Sequence, residues 1–172
     1  MFNYKIFEQL EKEHKEVKSL FSEAERAAGR NRQKLLKEIE EALIPHARGE
    51  EKTLYALLLE ESKKQNNEDG IKCSEEAYEE HRVVDELLAE LKDISVNDET
   101  WLARLTVIKE NIEHHIDEEE GQVFKTAKAV LSKDTLENLD EAYLEVKEKF
   151  SQTLPSQGEI SERVPTRSAR SA

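Results

Sequence analysis

Two short segments of the chain each carry a histidine followed four residues later by a glutamate, and another histidine precedes each segment. In chain order, the residues of this repeated pattern are His14, His46, Glu50, His81, His115 and Glu119. On an α-helix, residues i and i+4 differ by about 40° in direction, so each histidine–glutamate pair shares one helical face. Two imidazoles and one carboxylate, present twice, are a ligand set suited to a two-metal centre.

The faces that carry these pairs otherwise hold leucine and isoleucine, and no lysine or arginine accompanies them. An ionised carboxylate in an apolar core is costly unless it is paired. A metal ion would compensate Glu50 and Glu119 and would use the histidines as well. A single inward histidine is usually a hydrogen-bonded core residue, and a single pair is often solvated, but the duplication favours metal binding.

The mixed nitrogen and oxygen donors indicate which metal is expected. Imidazole suits zinc, copper, iron and nickel, whereas carboxylates favour harder ions. The set therefore suits two iron ions, with Glu50 and Glu119 as bridges and with room for an oxo or hydroxo bridge. Open positions would remain for a small diatomic molecule or peroxide, and zinc or manganese is an alternative loading.

Helical periodicity predicts the elements that must position these side chains. We expect five helices. The first three span residues 3–28, 32–64 and 74–91, and the fifth spans residues 134–150. The fourth is expected to be capped by Asn97 or Asp98 and to reach Val123. Gly29 is expected to end the first helix, residues 66–70 to form a loop and Ser74 to cap the third helix. Pro45 should kink the second helix, and Gly49 should let a neighbouring segment or a small ligand approach.

Long helices joined by short loops predict an all-α fold, an antiparallel up-down four-helix bundle with an additional C-terminal helix. The first two helices resemble the next two in pattern, which suggests a pseudo-twofold axis. We expect the bundle to occupy residues 1–152. Residues 153–172, rich in serine and arginine with two prolines and a glycine, are predicted to be a disordered tail.

Composition restricts the classes of function. The 172 residues carry a formal net charge of −13, which argues against nucleic-acid binding and against docking to anionic membranes. The single cysteine, Cys73, excludes an intrachain disulfide and a multi-cysteine zinc site. The first residues do not read as a signal peptide and no apolar run is long enough to span a membrane, so a cytoplasmic protein is expected. The oligomeric state is left open.

The order of the six residues, over roughly residues 5–130, resembles the hemerythrin-like domain, also called the HHE cation-binding domain. That resemblance implies a four-helix bundle around a non-haem di-iron centre. It implies that His14 and His46 serve one iron and that His81 and His115 serve the other. Glu50 and Glu119 would bridge the two ions.

The sequence departs from the oxygen carriers that this domain resembles. Those proteins carry a fifth histidine one turn before the third-helix ligand, where this chain has Ala77. Their second carboxylate is an aspartate five residues after the histidine, whereas here it is Glu119, four residues after His115. These differences favour catalase-like handling of peroxide, or reaction with O2 or nitric oxide, over oxygen transport.

Several polar residues lie near the pattern without belonging to it. Tyr78 is expected to face inward, either as core, as a hydrogen-bond donor or as a ligand. Glu51 and Glu120 are expected to face outward, with terminal ligation as the other possibility. Glu11 is a candidate partner for a ligand histidine, and His114 should lie on a flank of the bundle.

Three functions remain open at this stage. The first is a di-iron protein that binds or reduces small oxidants, with peroxide decomposition as its candidate enzymatic activity. The second is an iron- or oxygen-responsive sensor or iron-handling module that does not turn over. The third is a metal-free helical interaction protein, which explains the duplicated buried ionisable groups poorly.

Overall fold

The computed structural model describes residues 4–153, and within them every regular element is helical. In chain order the elements are α1 (Lys5–Arg26), α2 (Arg30–Lys52), α3 (Leu54–Gln65), α4 (Glu68–Lys92), α5 (Trp101–Glu118), a π-helical segment (Glu119–Val123), α6 (Phe124–Val130) and α7 (Lys133–Ser151). The all-α prediction is confirmed. The predicted disordered tail, apart from Thr153, lies outside the described residues.

The helices pack pairwise against one another. Helix α1 packs against α2 and α5, while α4 packs against α3 and α5. The additional helix α7 lies against α1 and α2. The antiparallel order of the four main helices stays a prediction. None of the helices in residues 4–153 has the length and apolar character needed to cross a membrane.

The apolar core consists of two clusters, one towards each end of the bundle. On α1, Phe7 and Leu10 belong to the first cluster, and Val17 and Phe21 belong to the second. His14 lies between them in the chain and is buried. The same alternation occurs from the end of α5 into the π-helical segment, where Glu119 separates Ile116 of the second cluster from Val123 of the first. A buried polar layer therefore divides the core.

Several predicted helix ends are wrong, because local hydrogen bonds outweigh the apolar pattern. Helix α4 begins within the predicted loop, where the Asn67 side chain accepts a hydrogen bond from the Gly70 N–H at 2.8 Å. Ser74 lies inside α4 and its hydroxyl donates to the Gly70 carbonyl at 2.7 Å, so it is not a cap. Helix α1 already ends at Arg26, so Gly29 does not end it. Gly29 instead lies at the N-cap position of α2, with a φ of +54°.

The fourth predicted helix begins later than expected. Helix α5 starts at Trp101, with Thr100 at the N-cap position, so neither Asn97 nor Asp98 caps it. The Asp98 carboxylate instead accepts hydrogen bonds from the backbone N–H and the hydroxyl of Thr100, at 2.8 and 2.6 Å. Trp101 is fully buried in the second apolar cluster.

Two helices change geometry at the glutamate of the repeated histidine–glutamate segment or shortly after it. Helix α2 continues through Pro45 and is interrupted only at Thr53, with φ −125° and ψ −82°. The Thr53 hydroxyl donates to the Gly49 carbonyl at 2.7 Å, which satisfies a carbonyl beside the break. In the second repeat, the π-helical segment begins at Glu119 itself. Such segments are frequent at functional sites.

Candidate metal centre

The structure brings the six residues of the repeated pattern together in the polar layer, and all six are buried. They form two groups that could each hold a metal ion. The first is His14, His46, Glu50 and Glu119, and the second is Glu50, His81 and His115. In each group the ligand atoms lie within 4.8 Å of one another. Glu50 belongs to both groups, as expected of a bridging carboxylate.

Distances within the layer show how the groups join. In the first group, His46 Nε2 lies 3.0 Å from Glu50 Oε1, and His14 Nε2 lies 3.0 Å from Glu119 Oε2. In the second, His81 Nε2 lies 3.5 Å from Glu50 Oε2 and 3.0 Å from His115 Nε2. The two oxygens of Glu50 therefore face different histidines, Oε1 facing His46 and Oε2 facing His81. Glu119 belongs to the first group, and its expected bridging role stays a prediction.

Several of these atoms are buried but have no hydrogen-bond partner in residues 4–153. They are both oxygens of Glu50, Glu119 Oε2 and His14 Nε2. Close nitrogen–oxygen contacts without hydrogen-bond geometry are what ligand atoms converging on a common point would show. Leaving a buried charged group unpaired costs several kcal/mol, so these atoms call for a compensating charge. The donor set fits a pair of metal cations.

In the metal-free protein, protons partly supply that charge. Burial by itself would lower the pKa of His14, but the carboxylates of Glu119 and Glu50 raise it to about 11. Burial likewise opposes the charge on His46, while Glu50 and Glu13 raise its pKa to about 9. Burial would raise the pKa of Glu50, but His46 and His14 hold it well below its usual range. Metal ions would have to displace these protons.

A second set of carboxylates contacts the outer nitrogens of the four histidines. The Nδ1 to oxygen distances are 2.8 Å for His14 to Glu120, 2.8 Å for His46 to Glu13, 3.1 Å for His81 to Glu51 and 2.7 Å for His115 to Glu80. A histidine that donates its Nδ1–H in this way keeps the lone pair of Nε2 directed at the centre. Metal-binding histidines are oriented by such partners almost always.

In both repeats, the glutamate that precedes one ligand histidine in the chain contacts the other ligand histidine of the same repeat. Glu13 precedes His14 in the chain but contacts His46, and Glu80 precedes His81 but contacts His115. Each of the two glutamates therefore joins neighbouring helices. A glutamate directly before each of His14 and His81 was the sequence signal that could have identified them.

The prediction of Glu51 as an outward-facing residue is wrong, whereas Glu120 is exposed as predicted but still contacts a ligand histidine. Glu51 directly follows Glu50 on α2, yet its side chain reaches His81. Glu120 lies in the π-helical segment, where the backbone leaves α-helical periodicity, and it reaches His14. Glu11 is also superseded, because the α1 carboxylate that contacts a ligand histidine is Glu13.

The tyrosine at the centre is Tyr55, which sequence reasoning missed. Its hydroxyl donates to Glu119 Oε1 at 2.9 Å and lies 3.4 Å from His115 Nε2. Burial and the nearby carboxylates, first Glu119, raise its pKa well above the usual value, so the hydroxyl keeps its proton. Tyr78 instead donates to the backbone carbonyl of Glu51 at 2.6 Å. Tyr55 follows Glu50 by the interval at which Phe124 follows Glu119, so this hydroxyl distinguishes the two halves.

The additional helix α7 contributes to the layer through Tyr143 and Lys147. The Tyr143 hydroxyl donates to Glu13 Oε2 at 2.6 Å and lies 2.9 Å from His46 Nδ1. Lys147 Nζ lies 2.6 Å from Glu13 Oε1. Burial opposes ionisation of Glu13, but His46, Lys147 and Tyr143 lower its pKa to about 2. Gly49 permits this packing, because a Cβ there would lie 2.5 Å from the Tyr143 ring.

A cleft of about 350 Å³ reaches the opposite side of the layer, between α4 and the α5–π segment. His115 and Glu119 lie at its inner wall, together with Ala77, and the wall also includes Glu80. Ala77 occupies the place where a fifth histidine was sought, so a small side chain lines the cleft. His114 lies at the cleft with an exposed side chain, as the flank position predicted.

Comparison with known proteins identifies one relationship. No curated protein and no solved structure matches the chain. The family model described as the hemerythrin HHE cation-binding domain matches residues 5–127, which include all six residues of the pattern. This match covers well over half of the chain and leaves α7 outside. The chain therefore belongs to the hemerythrin HHE cation-binding domain family.

Proposed function

We propose that this protein holds two iron ions and decomposes hydrogen peroxide in a catalase-like reaction, rather than transporting oxygen. The observation that carries the proposal is the pair of buried histidine–glutamate groups that share Glu50. Atoms of both groups are buried without hydrogen bonds, which supports occupancy by cations. Two moles of peroxide would yield two of water and one of O2, so no organic substrate or external reductant is needed.

Some residues of the chain would bind the ions, and others would orient the ligand histidines. His14 and His46 would hold one ion, His81 and His115 the other, with Glu50 and Glu119 between them. Iron supplies the exchange of electrons with peroxide when it is bound. Glu13, Glu51, Glu80 and Glu120 would orient the imidazoles through Nδ1.

Access and protons are supplied by the surroundings of the centre. The cleft that reaches His115 and Glu119 is large enough for peroxide, O2 or nitric oxide but offers few apolar contacts to an organic substrate. Tyr55 holds a proton at its hydroxyl, directed at Glu119 Oε1. Because its raised pKa keeps it protonated, Tyr55 would act as a hydrogen-bond donor to oxygen atoms at the centre.

A second function, a sensor of iron or oxygen without turnover, is favoured by α7. Tyr143 and Lys147 of this helix contact Glu13, which in turn contacts His46. Binding of a metal ion at His46 would therefore alter the packing of α7 against α1 and α2, and α7 lies outside the family match. A partner could read that change.

The two functions are separated by metal analysis combined with oxygen release from peroxide. We expect two irons per chain, a near-ultraviolet absorption of the ferric form, and oxygen release faster than that of an equal amount of free iron. Glu50→Gln should lose both iron and oxygen release, because it alters the carboxylate shared by the groups. Glu60→Gln, an exposed glutamate on α3, is the matched control and should behave like the original protein.

The outcomes decide between the proposals. Iron content well below two per chain would refute the di-iron proposal. Full iron content with no oxygen release beyond free iron would remove the catalase-like reaction. In that case, hydrogen exchange of α7 that depends on iron would support the sensor, and exchange that ignores iron would exclude it.

A further inference from the structure

The two halves of the buried polar layer are related by the sequence repeat, but the surfaces outside them differ. His46 corresponds to His115, so Pro45 corresponds to His114 and Gly49 to Glu118. In the first half α7 closes the face, since the Tyr143 ring lies against Gly49. In the second half no helix of residues 4–153 covers the corresponding positions, and the cleft of about 350 Å³ opens there.

The open face carries a set of metal-binding side chains that the buried centre does not use. Glu80, His114 and Glu118 each offer one ligand atom, and these atoms lie within 4.8 Å of one another. The side chains of His114 and Glu118 are 67% and 50% exposed, so the set is accessible to ions in solution. One imidazole and two carboxylates suit a divalent transition-metal ion.

The closed face shows what the open face lacks. Glu13 is the counterpart of Glu80, and its charge is balanced by the ammonium of Lys147 at 2.6 Å. Glu80 has no lysine or arginine ion pair within residues 4–153, and His115 and the His114–Glu118 pair are its neighbours. The open face therefore has no counterpart of the Lys147 ammonium at Glu80, and a cation from solution could take that place.

The position of this set connects the surface with the buried centre. Its three residues line the same cleft as His115 and Glu119. Glu119 is fully buried, and its Oε2 has no hydrogen-bond partner in the described part of the chain. Glu80 belongs to the outer set and also contacts His115 Nδ1 at 2.7 Å. An ion released from the outer set would meet ligand residues of the centre along the cleft.

We propose that Glu80, His114 and Glu118 form an entry site that captures a divalent cation and passes it through the cleft to the buried centre. The site binds weakly, because two of its three residues are exposed and its coordination shell is completed by water. The acidic net charge of −13 raises the local concentration of cations around it. This inference rests on the proposed function, since the buried centre must hold metal.

The rate of metal uptake tests the entry site. Metal-free protein is mixed without oxygen with Co²⁺, and the visible absorption of the bound ion is followed in a stopped-flow instrument. The double variant His114→Ala with Glu118→Gln should load at least about 10-fold more slowly but reach the same final Co²⁺ content in the buried centre. Glu76→Gln, which removes a charge from the same cleft but outside the proposed set, should load at nearly the original rate.

A separate titration detects the captured ion itself. Protein whose buried centre is already filled with Co²⁺ is titrated with Zn²⁺ in a calorimeter, and one additional weak site is expected. That site should be absent from His114→Ala. Uptake by the double variant at the original rate would overturn the entry site, as would equal slowing by Glu76→Gln or a weak site that persists in His114→Ala. Failure of the unaltered protein to take up Co²⁺ would instead refute the metal centre.

Discussion

Tyr143 on α7 offers a direct test of how the additional helix supports the metal centre. The variant Tyr143→Phe removes the hydroxyl that donates to Glu13 Oε2 at 2.6 Å and keeps the ring that packs on Gly49. Packing should therefore stay the same, and the loss should be that of one hydrogen bond to a buried carboxylate.

The size of the effect follows from the partners of Glu13. A hydrogen bond to a charged group contributes about 1.5–3 kcal/mol. Glu13 keeps His46, Lys147 and Gln9 as partners, so the lower end, about 1.5 kcal/mol, is expected. For a chain of this size that loss lowers Tm by about 3–6 °C.

Metal affinity should fall as well, because Glu13 orients His46. Loss of a residue that contacts a ligand histidine costs about 10–100-fold in affinity. Tyr143 acts through Glu13, so a decrease of about 10-fold is expected. Thermal unfolding of the metal-free protein gives the first number, and competition with a chromophoric chelator gives the second.

Tyr4→Phe is the matched control, because its ring packs edge-on against Phe7 and its hydroxyl has no hydrogen bond in the described residues. Its Tm and metal affinity should stay near the original values. If Tyr143→Phe also retains both its Tm within about 1 °C and its metal affinity, α7 does not support the centre and the reasoning fails.

Two further changes test the packing and the protonation of the layer. Gly49→Ala places a Cβ against the Tyr143 ring and should destabilise the protein by about 1–3 kcal/mol in denaturant unfolding. Gly121→Ala is the control and should change stability little, because no atom lies within 4 Å of its new Cβ. Equal effects of the two substitutions would contradict the packing argument. Metal uptake at pH 7 should release protons from His14 and His46, whose pKa values are raised to about 11 and about 9 in the metal-free protein. Because these pKa values are raised, the release should diminish first as the pH rises through about 9, for His46, and then through about 11, for His14. An indicator dye in weak buffer that records no proton release at pH 7 would refute this protonation state.

The six residues of the repeated pattern were found from sequence because the chemistry of a metal layer restricts residue types strongly. An imidazole and a carboxylate four residues apart must share a helical face, and apolar neighbours such as Ile112 and Leu43 place that face inward. The helices themselves follow from the same periodicity. The structure therefore agrees with the pattern wherever the backbone stays regular.

The residues that the sequence did not reveal act between helices or where the backbone is irregular. Glu13 and Glu80 contact histidines on neighbouring helices, a relationship that periodicity within one helix cannot show. Glu120 lies in the π-helical segment, and apolar periodicity gave no sign of that segment. Tyr143 reaches the layer from α7, whose place against α1 and α2 depends on Gly49.

The division of the core into two apolar clusters affects how the protein unfolds. Phe7 and Leu10 stabilise one end of the bundle and Phe21 and Trp101 the other, with charged side chains between them. Without metal we expect weak cooperativity across that layer, so that each end can open with its own free energy and calorimetric unfolding departs from two-state behaviour. Ions bound on both sides of Glu50 would join the two ends into one cooperative unit, which hydrogen exchange would show as equal protection of both clusters.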